Sequence, residues 1–307
     1  KNSGTKAVPL NKGLSEARGE IVACLDADSL VIKETLGRML PHFDAPDVAA
    51  VTPALKVFNP ETLLQKLQWY EYLFAILLRK LMSLIDCIYV TPGPFSLYKR
   101  EVIEELGGFS EHNITEDMEM ALRIQSHHYK IRNAIDAYVY TIAPDNLPEL
   151  YRQRRRWYQG LLINSRIYRH IFFNREYGDF SLLMPLNVIS VIVLMISTLL
   201  FFYYILKPIF KLVIKLVLID FDLMVYFKTL EPTFYILDYS YMRIFILLAV
   251  FMFGLLSLYL SHRFAGEKIR RYGIRPVIAF SVLYFLFLGS LWLGTITEFL
   301  RGVRNKW

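Results

Sequence analysis

Two aspartates separated by one alanine, Asp26 and Asp28, follow directly on a short apolar run at residues 21–25. In extended backbone the i, i+2 spacing turns both carboxylates to the same side, and two convergent carboxylates can share a divalent cation. Magnesium takes one or two carboxylates and fills its remaining positions with phosphate oxygens and water. Alone the spacing is weak evidence, because 12 aspartates in 307 residues give about half a D-x-D pair by chance. A second pair, Asp220 and Asp222, lies in the apolar C-terminal part and is read as such a coincidence.

Thr115-Glu116-Asp117 opens a helical pattern that continues through Met118, Leu122 and Gln125. A Thr cap and acidic first-turn residues begin many helices, so the triplet has an ordinary structural explanation. Its functional reading is an ionised Asp117 at a helix N-terminus, placed to accept a proton from a hydroxyl nucleophile. In Gln153-Arg154-Arg155-Arg156-Trp157, helical spacing puts Gln153, Arg156, Trp157 and Gly160 on one face and turns Arg154 and Arg155 elsewhere. Three arginines can be a solvated charge run. They can also pair a guanidinium with an indole, the chemistry that grips a diphosphate and stacks a sugar ring. The residues alone leave both readings open.

Other chemistries leave no trace. There is no P-loop, no G-x-G-x-x-G after a strand and no G-x-S-x-G elbow. His127-His128 has no third ligand near it in sequence, and Cys24 and Cys87 lack C-x-x-C spacing, so neither zinc nor a disulfide framework organises the chain.

The elements that must position these residues alternate. Apolar runs at 21–25, 48–57, 88–91 and 138–142 read as strands, and 33–40, 61–85, 99–106 and 116–127 as helices, the third closed by Gly107-Gly108. The alternation predicts an α/β domain with a mostly parallel sheet, and ligands of such sheets sit at the carboxyl ends of strands. Asp26 and Asp28 fall at one.

The last third is different. With 54% hydrophobic residues and a mean hydropathy of +0.33, the chain is too apolar for an ordinary soluble protein. Residues 180–206, 244–262 and 276–297 carry no Asp, Glu, Lys or Arg, and about 20 apolar residues in helix cross a hydrocarbon core. Spans are expected near 186–206, 244–262 and 277–297. Residues 63–85 are interrupted by Lys66, Glu71, Arg79 and Lys80 and should pack under the domain or at the interface. Residues 209–227, between the first two spans and with Lys211, Lys215, Asp220 and Asp222, read as an amphipathic or partly inserted segment. Lys and Arg balance Asp and Glu at 22 each up to Asp179, so the net +7 belongs to residues 180–307. That placement excludes nucleic acid as a partner and suits membrane lipids. The division is a cytosolic domain at 1–147, an interfacial helix and connector at 148–179, and a membrane region at 180–307.

Taken in order, D-A-D, Gly107-Gly108-Phe109, T-E-D and Q-R-R-R-W followed by membrane spans resemble the family 2 glycosyltransferases of the cellulose, hyaluronan, chitin and poly-N-acetylglucosamine synthase type. The segment 6–14, with Ala17-Arg18-Gly19-Glu20 after it, looks like the family's lead into D-x-D. The resemblance covers residues 6–168 and the general membrane pattern. It implies an A-type glycosyltransferase fold, a nucleotide-sugar donor, usually a UDP-sugar, and inversion at the anomeric carbon. It implies Asp26 and Asp28 on the diphosphate and its Mg²⁺ or Mn²⁺, with Asp28 favoured as direct ligand, and Asp117 as general base. Arg154 and Arg156 would serve the donor diphosphate; Gln153, Trp157 and Glu116 the acceptor. The 91–96 turn resembles the loop at the acceptor end and adds Phe95.

In this family the first strands of the sheet, which carry a P-x-Y-N-E-like motif and a base-contacting aspartate, precede the segment where this chain starts. The chain is therefore expected to be an N-terminally incomplete piece holding the sugar-transfer half of the site. The expected whole is a multi-pass cell-membrane enzyme elongating a polysaccharide, with further helices or a second copy in a homo-oligomer completing the polymer's path. Its rivals are a single-transfer enzyme acting on a lipid-linked acceptor and an inactive membrane scaffold. A cytosolic transferase domain would place residues 262–275 inside, with Arg263, Lys268, Arg270, Arg271 and Arg275 obeying the positive-inside rule, and Trp307 outside.

Overall fold

Every residue of the run Val48–Val57 is buried, and this strand is the middle of a five-stranded sheet. The computed structural model describes residues 5–228 and 241–302. In chain order the elements are α1 (Ala7–Glu16), β1 (Ile21–Cys24), β2 (Ser29–Val31), α2 (Thr35–Met39), β3 (Val48–Val57), α3 (Leu63–Leu84), β4 (Ser96–Lys99), α4 (Arg100–Glu105), α5 (Glu116–Ser126), β5 (Lys130–Thr141) and α6 (Leu147–Ile167). Then come α7 (Phe180–Leu218), α8 (Leu223–Lys228), α9 (Tyr241–Ala265) and α10 (Ile274–Leu300).

The sheet order is β1-β4-β3-β5-β2. Contrary to the expectation of a mostly parallel sheet, only β3 and β5 are parallel, and the other three pairings are antiparallel. Two of these three come from β4, too short at four residues to be read as an apolar run. It leaves the turn at 93–95 and runs back between β1 and β3, reversing both pairings. Residues 88–91, expected as a strand, stay outside the ladder. Gln125 donates its amide to the carbonyls of Asp86 and Ile88, serving oxygens that a neighbouring strand would otherwise bind.

β1 and β2 lie at opposite edges of the sheet although only residues 25–28 separate them. The D-A-D segment therefore crosses the end of the sheet from one edge to the other. It does so as a turn closed by Ser29 N–H on the Asp26 carbonyl at 3.1 Å, so the extended geometry assumed from the spacing does not persist.

α3 begins at a capping box, Thr62 and Gln65 each bonding the other's backbone N–H. Its buried face, with Trp69, Tyr70, Leu73 and Ile76, packs between the sheet and the ends of α9 and α10 at Ala265 and Val277. Lys56 at the end of β3 is almost wholly buried and donates to the Ala265 carbonyl at 2.6 Å and to Glu267 at 2.9 Å. The α9–α10 connection is thereby fastened to the sheet.

Among the described residues, three helices are long and apolar enough to cross a membrane: Phe180–Leu218, Ile244–Ala265 and Ile274–Leu300. The first helix runs beyond the span expected near 186–206, because α7 continues without a break past Pro208 to Leu218 and takes in the first half of the 209–227 stretch. Lys207, Lys211 and Lys215 recur every four residues and share one face, so the charges do not end the helix. α10 packs on α7, where a side chain at Gly289 would collide with Thr198. It also lies along α6, stacking Trp292 on Tyr158 with centroids 3.9 Å apart and placing Glu298 against Tyr151 and Arg155. Residues 303–307, and with them the expected outer position of Trp307, lie outside the described residues.

Lys56→Met should lower stability by about 1–3 kcal/mol, because it takes the buried partner from Glu267 and leaves that carboxylate only the more exposed Arg271. Joining it to Glu267→Met should recover most of that loss. Thermal unfolding of the purified protein in detergent reads both, and equal instability of the single and double variants would contradict the pairing.

Candidate active site

The D-A-D turn, the start of α5 and the middle of α6 meet around one cavity of about 1060 Å³. Asp26, Asp28, Glu116, Asp117, Arg156 and Trp157 all line it, as do Gln153 and Arg154. Its far wall belongs to the apolar helices, through Asn187 and Val191 of α7 and Trp292 of α10.

Two contacts set the position of α6 against α5. Gly160 presses on Thr115 so closely that any side chain there would overlap it. Asn164 donates to the Thr115 hydroxyl at 3.0 Å and accepts from Asn113 at 2.6 Å, all three being buried. Thr115 is thus not the helix cap that its place in the sequence suggests. It makes no side-chain cap bond and joins α5 to α6 instead. Asp117 follows one residue into the helix, where its carboxylate accepts the Met118 N–H at 2.8 Å and its carbonyl accepts the Thr91 hydroxyl at 2.8 Å. Burial, then the adjacent Glu116 carboxylate, push the Asp117 carboxyl up to about 6, against the pull of Lys6, the Met118 N–H and Arg156.

Lys6, just before α1, reaches into the same space. It ion-pairs with Asp26 and lies 3.3 Å from Glu116. Burial opposes its charge, but Glu116 and Asp26 outweigh burial and hold its pKa above the ordinary lysine value. Gly93 leaves the room this requires, since a Cβ there would stand 2.5 Å from the Lys6 nitrogen and 2.7 Å from an Asp26 oxygen. On α6, the Gln153 side-chain oxygen is buried without a partner among the described residues. Arg154, expected to point away from the Gln153–Trp157 face, lines the cavity too. Its guanidinium bonds Glu71 of α3 at 2.8 Å and sits over the Trp157 ring at 4.3 Å, so it is turned to Glu71 and not to the Asp26 end. Arg155 faces Glu298.

Of the expected residues only Phe95 is kept apart. It takes a left-handed backbone with φ of 58° and packs on the core around Met39, Val48 and Leu97, while Pro92, Gly93 and Pro94 of the same turn line the cavity. Strand β4 has to start there, and that turns the phenyl ring behind the wall. Sequence reasoning assigns nothing to Lys6, Glu71 or Trp292. Only Glu71 leaves a signal, a lone carboxylate among Trp69, Tyr70, Tyr72 and Phe74.

Among the described residues no cluster of three or more His, Cys, Asp or Glu could hold a metal by itself. Asp26 and Asp28 offer hard oxygen ligands at the cavity wall, and Asp26 already engages one cation, the Lys6 ammonium. Two carboxylates fit a magnesium-type ion that arrives with phosphate oxygens and water.

The pattern of glycosyl transferase family group 2 matches residues 21–293. The chain belongs to that family. Its α/β part is accordingly an A-type glycosyltransferase sheet, followed by a helical region with three apolar helices. The poly-beta-1,6-N-acetyl-D-glucosamine synthases of Staphylococcus epidermidis and Staphylococcus aureus are each 31% identical over 157 residues. That stretch is 50% of this chain and 38% of theirs, so the match spans under half the length of either relative. Among solved structures, the mannosyltransferase PcManGT from Pyrobaculum calidifontis, in complex with GDP-Man and Mn²⁺, is 28% identical with a TM-score of 0.43, covering 53% of this chain and 44% of its own. S. aureus TarS 1-349, in complex with UDP-GlcNAc, is 20% identical with a TM-score of 0.34, covering 58% and 56%.

Gly160→Val should push α6 away from the first turn of the glycosyltransferase's α5. A displacement on the order of 1 Å costs about 10²-fold in turnover, so sugar transfer should fall by about that factor. Kinetics beside thermal unfolding check this, and full turnover in a folded variant would show that the contact is not needed.

Proposed function

We propose that this enzyme is a membrane-integrated, inverting glycosyltransferase that moves a sugar from a nucleotide-sugar, a UDP-sugar in first place, to a growing polysaccharide. The observation that carries the reading is the meeting of Asp26, Asp28, Asp117, Arg156 and Trp157 in one cavity whose far wall is made by α7 and α10. Family membership supplies the reaction class, and the polysaccharide synthases among the relatives support a polymer as product.

In this reading the acceptor lies on Trp157, with a hydroxyl directed at Asp117. The Asp117 carboxylate takes the hydroxyl proton as the oxygen attacks the anomeric carbon, and the bond from that carbon to the diphosphate breaks on the opposite face. Lys6 and Arg156, cations on the cavity wall, meet the charge that the diphosphate gains. Asp26 and Asp28 would hold a magnesium or manganese ion, which when bound supplies further positive charge to the diphosphate. Glu116, ion-paired to Lys6, keeps that lysine directed at the Asp26 end. The aromatic wall lets the product slide by one unit after each addition, as processive growth requires. A cytosolic transferase domain is part of the proposal, and the anchoring of the α9–α10 connection by Lys56 supports placing that basic loop on the same side.

Asp117→Asn should lower turnover by about 10²- to 10⁴-fold, the range of general base catalysis, and leave donor binding intact. Below about pH 6 the wild-type carboxyl keeps its proton and cannot accept another. Turnover should therefore rise as the pH passes through about 6 and level off above it. A profile flat from pH 5 to 8, or wild-type turnover in the variant, would remove Asp117 from the mechanism.

Trp157→Ala should shorten or abolish product while the donor still binds. The measurement is product length from the enzyme in membranes offered a panel of nucleotide-sugars, with and without chelator. Singly glycosylated lipid from the wild type at saturating donor would replace polymer growth with lipid glycosylation. Undiminished activity in chelator would remove the metal.

A further inference from the structure

α3 buries aromatic and aliphatic side chains on nearly every turn, yet it presents one carboxylate, Glu71, to the cavity. Glu71 is the meeting point of three helices. One of its oxygens accepts from the Arg154 guanidinium of α6 at 2.8 Å and from the Tyr284 hydroxyl of α10 at 2.7 Å. Arg154 and Tyr284 are almost completely buried, and Glu71 is about three-quarters buried.

The consequence falls on Trp157. The Arg154 guanidinium lies 4.3 Å from the centre of its ring, covering one face with a cation, while the residue also lines the cavity. A buried guanidinium without its carboxylate would have to move toward another anion or toward water. The Arg154 Nε already lacks a partner among the described residues, so Glu71 is what holds the group in this plane. Cation–π contact is strongest when it is shielded from water, and shielding is what α3 and α10 supply here.

We infer that Glu71 is a positioning residue for sugar transfer, pinning Arg154 across one face of Trp157 with Tyr284 of α10 as the third member, and so fixing the ring on which the acceptor saccharide stacks. The inference rests on the proposal that Trp157 holds the acceptor. It makes α10, one of the three apolar helices, part of the acceptor platform. Glu71 itself touches neither reacting group.

The test uses the intact enzyme in membranes, UDP-N-acetylglucosamine as donor and a short β-1,6-linked N-acetylglucosamine oligosaccharide as acceptor. Losing a charged hydrogen bond is worth about tenfold, so Glu71→Gln should raise the acceptor KM about tenfold and shorten the product, with the donor KM unchanged. Tyr284→Phe, which removes one oxygen and disturbs folding least, should move the same quantities the same way by a smaller factor. In a Trp157→Ala background Glu71→Gln should add nothing to the loss of acceptor affinity, read by equilibrium binding of the oligosaccharide where transfer is abolished, because it acts through the ring that is gone. Equal rises in donor and acceptor KM, or full additivity on Trp157→Ala, would overturn the inference. Acrylamide quenching of tryptophan fluorescence reads the contact without any turnover. Glu71→Gln should increase quenching in the wild-type background and not in Trp157→Phe, and no increase overturns the inference even where the wild type proves inactive on these substrates. If the wild type glycosylates only lipid, the polymer reading fails and the same KM comparison is made with that lipid.

Discussion

The closeness of α6 to the first turn of α5 is the constraint on which the cavity depends. Gly160 against Thr115 sets the distance, and the buried Asn113–Asn164–Thr115 bonds set the rotation of α6 about its axis. With both fixed, a carboxylate at one helix start and an amide, two guanidiniums and an indole on the next helix face a common space. The sheet contributes by letting its D-A-D turn close that space from the opposite end. A methyl group at position 160 would be enough to separate the halves.

Two of the cations in that space are held by opposite charges. Lys6 bridges Asp26 and Glu116, and Arg154 answers Glu71. Asp117 stands beside these pairs without joining one. It receives one backbone N–H and a like charge beside it, and its pKa rises accordingly. A carboxylate that costs energy to ionise is a stronger base than an ordinary aspartate, which is the property a proton acceptor for a sugar hydroxyl needs. Lys6 and Arg156 pull against this rise without cancelling it.

The sequence is informative where spacing and chemistry coincide within a short segment. Asp26 with Asp28, Asp117, and Gln153 with Arg156 and Trp157 can all be read from local pattern, and so can β3 and α5. The three uncharged stretches stand out because nothing but length and apolarity is needed to see them. What escapes depends on distant partners or on geometry. β4 is four residues long, and its direction makes two of the sheet's four pairings antiparallel. Lys6 meets Asp26 across 20 positions, and Glu71 meets Tyr284 across 213. Phe95 is misplaced by its sequence neighbours because a left-handed residue sends its side chain where an extended one would not. The end of α7 is hidden because lysines one turn apart share a face and need not interrupt a helix.

The uninterrupted length of α7 sets a distance on the side away from the transferase. Its 39 residues measure about 58 Å at 1.5 Å each, against a hydrocarbon thickness of about 30 Å. Even at a tilt of about 20°, a crossing α7 keeps a rod on the order of 20 Å standing clear of the hydrocarbon. The lysine face falls on this projecting end, level with the head groups and the water beyond them. For a crossing α7, the head groups on that side would meet lysines spaced one turn apart on a rod that runs well past the length a bilayer needs.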